Sequence, residues 1–228
     1  MTPPPPPPKR HPYDQWAPDA RALDLVGDKW TLLIIRDLAV GPRRFVELQR
    51  VLPGISTEQL RSRLNRMVAD GLLTRERYRE VPPRVDYELT PRSYELLGVL
   101  GELARWGLRW TWTPPRDGEA IDIGAILRVA PGLIDAATTV SGTAELRVTR
   151  ADGTAAHYAI TVASGRATIA ERTVPDAAAR VAGSEADWID ALGPGGARTR
   201  LRISGDERLA ATVLDGFLPS ASRGVRAA

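Results

Sequence analysis

Between Ser56 and Asp70 the sequence sets Ser56, Gln59, Ser62, Arg63 and Arg66 off from the apolar positions Leu60, Leu64, Met67 and Val68. At 100° per residue the apolar four form one stripe and the polar set faces another side, with Ser56 at the N-terminal end. Arginine and glutamine make paired hydrogen bonds to guanine and adenine edges in the major groove, so the chemistry these residues suit is reading duplex DNA. Arg43 and Arg44, at the start of the preceding element, are placed to meet phosphates. Arg79 and Arg84 bound the loop 79–84, which would act as a wing reaching the backbone or the adjacent minor groove.

Other chemistries find no foothold in the residues. The absence of cysteine removes disulfides, thiolate metal sites and thiol redox sensing together. The two histidines, His11 and His157, lie far apart, so no metal site is expected. The carboxylates around Val174-Pro175-Asp176 have no companion nucleophile or base. Gly193-Pro194-Gly195-Gly196 lacks the Lys and Ser/Thr that a phosphate-binding loop requires. The expectation is a protein that is not an enzyme and has no cofactor.

The elements that must position the DNA-reading set follow from periodicity and punctuation. Helices are predicted over Asp19–Val26, ending at Gly27, over Lys29–Val40, stopped by Gly41-Pro42, and over Pro42–Leu52, stopped by Pro53-Gly54. Ser56 caps the next helix, Gln59 closes a capping box, and Gly71 suits its C-terminal end. Residues 72–78 and 84–89 read as two antiparallel strands, and Thr90-Pro91 opens a long helix that fades near Trp110 and Trp112. Beyond it the composition changes. A helix over Gly124–Ala137 interrupted near Pro131, strands over Thr143–Arg150, His157–Val162 and Arg166–Thr173, a helix over Ser184–Leu192, a strand over Thr199–Ile203 and a helix over Asp206–Leu214 give an α/β second half.

Charge supports the same placement. The 228-residue chain carries +3 overall, but residues 1–113 hold 18 Lys/Arg against 14 Asp/Glu and residues 41–92 hold 11 against 7. The positive excess therefore lies where a phosphate backbone would be met. No apolar run approaches the roughly 18 residues that span a bilayer. The N-terminus is a run of proline at 3–8, which favours an extended polyproline II tail, followed by Lys9 and Arg10. With no apolar signal core there, a cytoplasmic protein is expected.

Several separated motifs resemble HxlR-type winged-helix regulators. They are Arg21-Ala22-Leu23-Asp24-Leu25-Val26-Gly27-Asp28-Lys29-Trp30-Thr31, Gly41-Pro42-Arg43-Arg44-Phe45, Leu52-Pro53-Gly54-Ile55-Ser56, Asp70-Gly71-Leu72 and Val81-Pro82-Pro83-Arg84-Val85-Asp86-Tyr87-Glu88-Leu89-Thr90. They keep their order across residues 14–112. The resemblance implies a homodimer, joined through the first helix and the helix 91–112, that binds inverted repeats in double-stranded DNA near promoters as a repressor or activator. Family members often carry a cysteine just before the first helix. Ala17-Pro18 stands there here, so a signal must be read elsewhere.

In the second half, Ala156-His157-Tyr158-Ala159-Ile160, Ser164-Gly165, Gly183-Ser184-Glu185-Ala186-Asp187-Trp188 and Ile203-Ser204-Gly205-Asp206 resemble the sterol-carrier-protein type fold. That resemblance implies a sheet covered by helices around an apolar interior, and so a hydrophobic small-molecule effector. Candidate pocket residues are Leu127, Leu133, Ile134, Trp188, Ile189, Leu214 and Phe217, each of which also reads as ordinary core. Trp106, Trp110 and Trp112 suit packing against the second domain or a partner subunit. The expected fold class is α+β: a tail at 1–13, a winged helix-turn-helix at 14–113, a sterol-carrier-like sheet-and-helix domain at 120–219 and a tail at 220–228. The alternative function is a lipid- or hydrophobe-sequestering protein whose winged helix mediates protein interaction.

Overall fold

The computed structural model describes residues 12–79, 84–134 and 139–218. Residues 1–11 of the tail expected at 1–13, the tail expected at 220–228, the Val81-Pro82-Pro83 motif and the end of the helix expected to reach Ala137 lie outside the described residues. Contacts group the chain into two compact units, Met1–Leu97 and Gly98–Ala228.

The first unit begins with helices α1 (Pro18–Val26) and α2 (Thr31–Leu38). Asp28 ties down the start of α2, accepting from the backbone N–H groups of Trp30 (2.9 Å) and Thr31 (3.0 Å) and from the Thr31 hydroxyl. Residues 43 and 44 depart from the expected helix. They form strand β1 (Arg43–Arg44), and helix α3 begins only at Phe45 and runs to Val51. Gly41 at φ 122° turns the chain out of α2, and Arg43 and Arg44 then pair with Tyr87 and Asp86. Helix α4 (Thr57–Ala69) follows, then strands β2 (Leu73–Tyr78) and β3 (Arg84–Leu89), giving a three-stranded antiparallel sheet in the order β1-β3-β2. Ile34, Ile35 and Leu38 of α2, Leu48 of α3 and Leu60, Leu64 and Met67 of α4 are fully buried and form its core. The helix expected from Thr90 is divided at Glu95 into α5 (Pro91–Tyr94) and α6 (Leu96–Trp110).

From Gly98 onward α6 is counted with the second unit. Gly101 shows why: a Cβ there would collide with the backbone of Gly132, so only glycine permits the approach. The Arg105 guanidinium also donates to the Leu133 carbonyl at 3.0 Å. Helices α7 (Ile123–Leu127) and α8 (Ala130–Leu133) are the two parts of the interrupted helix. Strands β4 (Gly142–Thr149), β5 (Ala155–Ala163), β6 (Arg166–Ala170), β7 (Ala179–Ser184) and β8 (Arg202–Gly205) make a sheet ordered β6-β5-β4-β7-β8. Strand β7 is not marked by hydrophobic alternation, yet it lies inside the sheet between β4 and β8 and runs parallel to β4. Helices α9 (Glu185–Leu192) and α10 (Glu207–Asp215), with α8, pack against the sheet.

Alternation in β4 and β5 buries Leu146, Val148, Tyr158, Ile160 and Val162 on one face and leaves Glu145, Arg147, His157 and Thr161 on the other. A charged side chain from the C-terminal end of α7 is also buried in this unit. Arg128 is enclosed between Asp122 (2.9 Å) and Glu171 (2.8 Å), and burial pushes the nearby Tyr158 hydroxyl up to about 12.

Candidate nucleic-acid interface

Helix α3, the turn through Gly54 and helix α4 form the helix-turn-helix. Gly54 takes φ 82°, which an L side chain adopts only under strain. The Gln49 amide of α3 donates to the Thr57 hydroxyl at the head of α4, at 2.8 Å, fixing one helix against the other. Both halves of the capping box are present. Ser56 Oγ accepts from Gln59 N, and Gln59 Oε1 accepts from Ser56 N, each at 3.1 Å. The same Gln59 therefore closes the N-terminal end of α4 and is itself exposed there.

On α4, Ser56, Gln59 and Ser62 are exposed and Arg66 is half-buried. Arg63 is placed apart from them. Its guanidinium lies 3.1 Å from Asp28, and the two side chains are only 22% and 19% exposed. At 100° per residue Arg63 is roughly 60–70° from the centre of the buried stripe, so it flanks the core and meets the loop before α2. The same arithmetic points outward for Glu58, Arg61 and Asn65, which the base-reading pattern of Arg and Gln alone does not single out. Arg61 is exposed and pairs with Glu58 at 2.8 Å, while Asn65 accepts a long contact from Arg75 of β2 at 3.5 Å.

The flanking arginines are held by a buried carboxylate. Asp86 of β3 is 3% exposed and takes Arg84 at 2.9 Å through Nε, with Arg44 of β1 at 3.9 Å. The Arg84 hydrogen bonds hold the Asp86 carboxyl below its ordinary range, against the opposing effect of burial. The Arg84 guanidinium also lies over the Tyr78 ring, 5.1 Å from its centroid. Arg43 is half-buried in β1, Arg44 is exposed, and Arg79 is exposed at the base of the wing. The structure thus brings Arg44, Arg84 and Asp86 together across the β1-β3 ladder, and leaves Arg79 outside that cluster.

In the second unit, Leu127, Leu133, Ile134, Trp188, Leu214 and Phe217 are all buried, and Ile189 is half-buried. The Trp188 indole donates to the Arg147 carbonyl at 3.0 Å. Trp112 donates to the Leu192 carbonyl at 2.8 Å, whereas Trp106 and Trp110 are exposed. Among the described residues there is no group of three or more His, Asp or Glu placed to hold a metal, and no helix long and apolar enough to cross a membrane.

A helix-turn-helix followed by a β-hairpin defines a winged helix-turn-helix protein. The HxlR-like helix-turn-helix family model matches residues 25–114. An uncharacterized HTH-type transcriptional regulator of Synechocystis sp. (sll1512) is 40% identical over 93 residues, covering 41% of this chain and 69% of that protein. Another, from Halalkalibacterium halodurans (BH0655), is 43% identical over 96 residues, covering 42% of this chain and 85% of that protein. Among solved structures, the reduced form of the transcriptional regulator YodB from B. subtilis is 32% identical, covers 42% of this chain and 96% of its own, and superposes with a TM-score of 0.38. The chain belongs to the HxlR-like helix-turn-helix family.

Proposed function

We propose that the protein is a sequence-specific, DNA-binding transcription regulator that acts as a homodimer. The observation that carries this reading is helix α4. It is capped at both ends of its first turn, locked to α3, and presents Gln59, Ser62 and Arg66 on the side away from Leu60, Leu64 and Met67. Base edges would be met by these three and by Arg61, while Arg43, Arg44, Arg79 and Arg84 would contact phosphates.

The dimer is supported by α6. Val99, Leu103, Trp106 and Trp110 are spaced i, i+4, i+7 and i+11, and each is more than half exposed. One helix face therefore offers two indoles and two aliphatic groups to water, while Leu97 and Leu100 are buried. A second copy of the same helix would cover that stripe. Two-fold symmetry would then present two copies of α4 to an inverted repeat. The functional boundaries are proposed as 14–113 for DNA binding and dimerisation and 120–219 for a sterol-carrier-type domain. A hydrophobic effector within that domain would have to repack the side chains around Trp188 and Phe217 and favour one DNA affinity over another.

Gel retardation with the promoter region of its own gene tests the reading. Retardation is expected at moderate salt, with log K falling linearly with log[salt]. Gln59→Ala with Arg66→Ala should remove discrimination between the promoter and unrelated duplex. Undiminished discrimination in that double variant would place the reading surface elsewhere. Native mass spectrometry of the protein from its source cells tests the effector, for which a bound apolar mass is expected.

A further inference from the structure

The face of the β6-β5-β4-β7-β8 sheet that its helices leave uncovered carries a row of arginines with a gap in it. Arg147 on β4 lies directly across from Ala182 on β7, and Ala182 lies directly across from Arg202 on β8. Two strand spacings place the Arg147 and Arg202 backbones roughly 10 Å apart. The methyl of Ala182 is all that stands between their side chains. Two residues along each strand, on the same face, the adjoining row is Glu145, Arg180 and Ser204. These residues line a depression of about 290 Å³.

Its charge is unbalanced. Glu145 is already engaged on both oxygens, by His157 Nδ1 at 2.7 Å and by Arg180 Nε at 3.7 Å. Arg180 also donates to the Pro175 carbonyl. Arg147 and Arg202 have no carboxylate within 4.0 Å among the described residues, although Arg202 is near enough to Asp187 to help lower its carboxyl pKa. Among the lining residues three guanidiniums stand against one carboxylate, an excess of positive charge that Asp187 near Arg202 offsets only in part. Like charges on neighbouring strands repel unless something of opposite sign lies between them. Guanidinium forks match the oxygens of phosphate and carboxylate, and the Ser204 hydroxyl adds a neutral donor at the rim.

We infer that this depression is a binding site for a small dianion, a metabolite bearing a phosphate monoester or a pair of carboxylates. Arg147 and Arg202 grip it from either side of Ala182, and Arg180, oriented by Glu145, closes the third side. The site is separate from the apolar interior and does not depend on the DNA-binding reading.

Calorimetric titration of the full chain at constant ionic strength tests it, with inorganic phosphate, glycerol 3-phosphate and succinate as probes and acetate as the monoanion. Saturable binding of the dianions is expected, with acetate at least about tenfold weaker. The ratio of glycerol 3-phosphate to succinate affinity separates the two sources. Arg147→Ala and Arg202→Ala should each weaken binding at least about tenfold. Ala182→Leu should do the same by filling the floor while leaving every charge in place. Arg200→Ala serves as the control, because Arg200 is exposed outside the depression and sits 3.4 Å from Asp190. It should change affinity less than about twofold. The inference is overturned if no dianion saturates the protein, if acetate binds equally well, or if Arg200→Ala costs as much as Arg147→Ala. It is also overturned if the arginine variants leave anion binding unmoved and instead lower the salt dependence of DNA binding.

Discussion

Replacing Arg63 by alanine is expected to cost stability before it costs recognition. Arg63 sits on α4, the helix proposed to read DNA, but its guanidinium is 3.1 Å from Asp28, and both side chains are about one-fifth exposed. Asp28 in turn accepts from Trp30 N at 2.9 Å and Thr31 N at 3.0 Å, so the pair joins α4 to the start of α2. An exposed ion pair contributes roughly 0–1 kcal/mol, and breaking a fully buried one costs about 3–5 kcal/mol. This pair lies between those limits, so Arg63→Ala should cost about 1–3 kcal/mol. With a urea slope of roughly 1–3 kcal/mol per molar, the midpoint should fall by about 1 M. Urea unfolding followed by tryptophan emission measures this, with Trp30 buried beside the pair. A double-mutant cycle with Asp28→Asn isolates the interaction, and a coupling of about 1–2 kcal/mol is expected. An unchanged midpoint together with lost base discrimination would refute the reasoning, because Arg63 would then be spent on DNA and not on Asp28.

Other perturbations have equally direct readouts. Ser56→Ala removes the acceptor for Gln59 N and should destabilise α4 by about 1 kcal/mol, measured by the same urea unfolding. Asp86 has a lowered pKa in the fold, so its contribution is present above an ordinary carboxyl value of about 4 and is lost as pH falls through the lowered one. Asp86→Asn should therefore flatten the fall in urea midpoint below about pH 4 that the parent shows, and parallel curves would contradict this. Arg128→Ala leaves Asp122 and Glu171 without their shared cation and should cost about 3–5 kcal/mol, read from the unfolding of the second unit. Leu103→Glu with Trp106→Glu should halve the mass measured by light scattering, since both groups lie on the exposed stripe of α6.

What the sequence discloses and what it conceals divide along the range of the interactions. The capping box of Ser56 and Gln59, the apolar stripe of Leu60, Leu64 and Met67, and the hairpin 73–89 are set within a few residues of one another, and all are legible as spacing. The partner of Arg63 is not, because the helical angle shows that Arg63 flanks the core but not that Asp28 is waiting 35 positions earlier. Arg43 and Arg44 follow a helix-stopping Gly41-Pro42 and precede a helical stretch. Only pairing with Tyr87 and Asp86 makes them a strand. Strand β7, Ala-Arg-Val-Ala-Gly-Ser, has one β-branched apolar residue and takes its extended form from the strands on either side. Without β7 there is no row from Arg147 to Arg202. The second charged surface is therefore a product of register, while the first is a product of one helix. That difference predicts how each should fail: the helix surface can be dismantled by single residues on α4, whereas any change that shifts β7 by one position would turn Ala182 and Arg180 to the buried face and erase the whole depression at once.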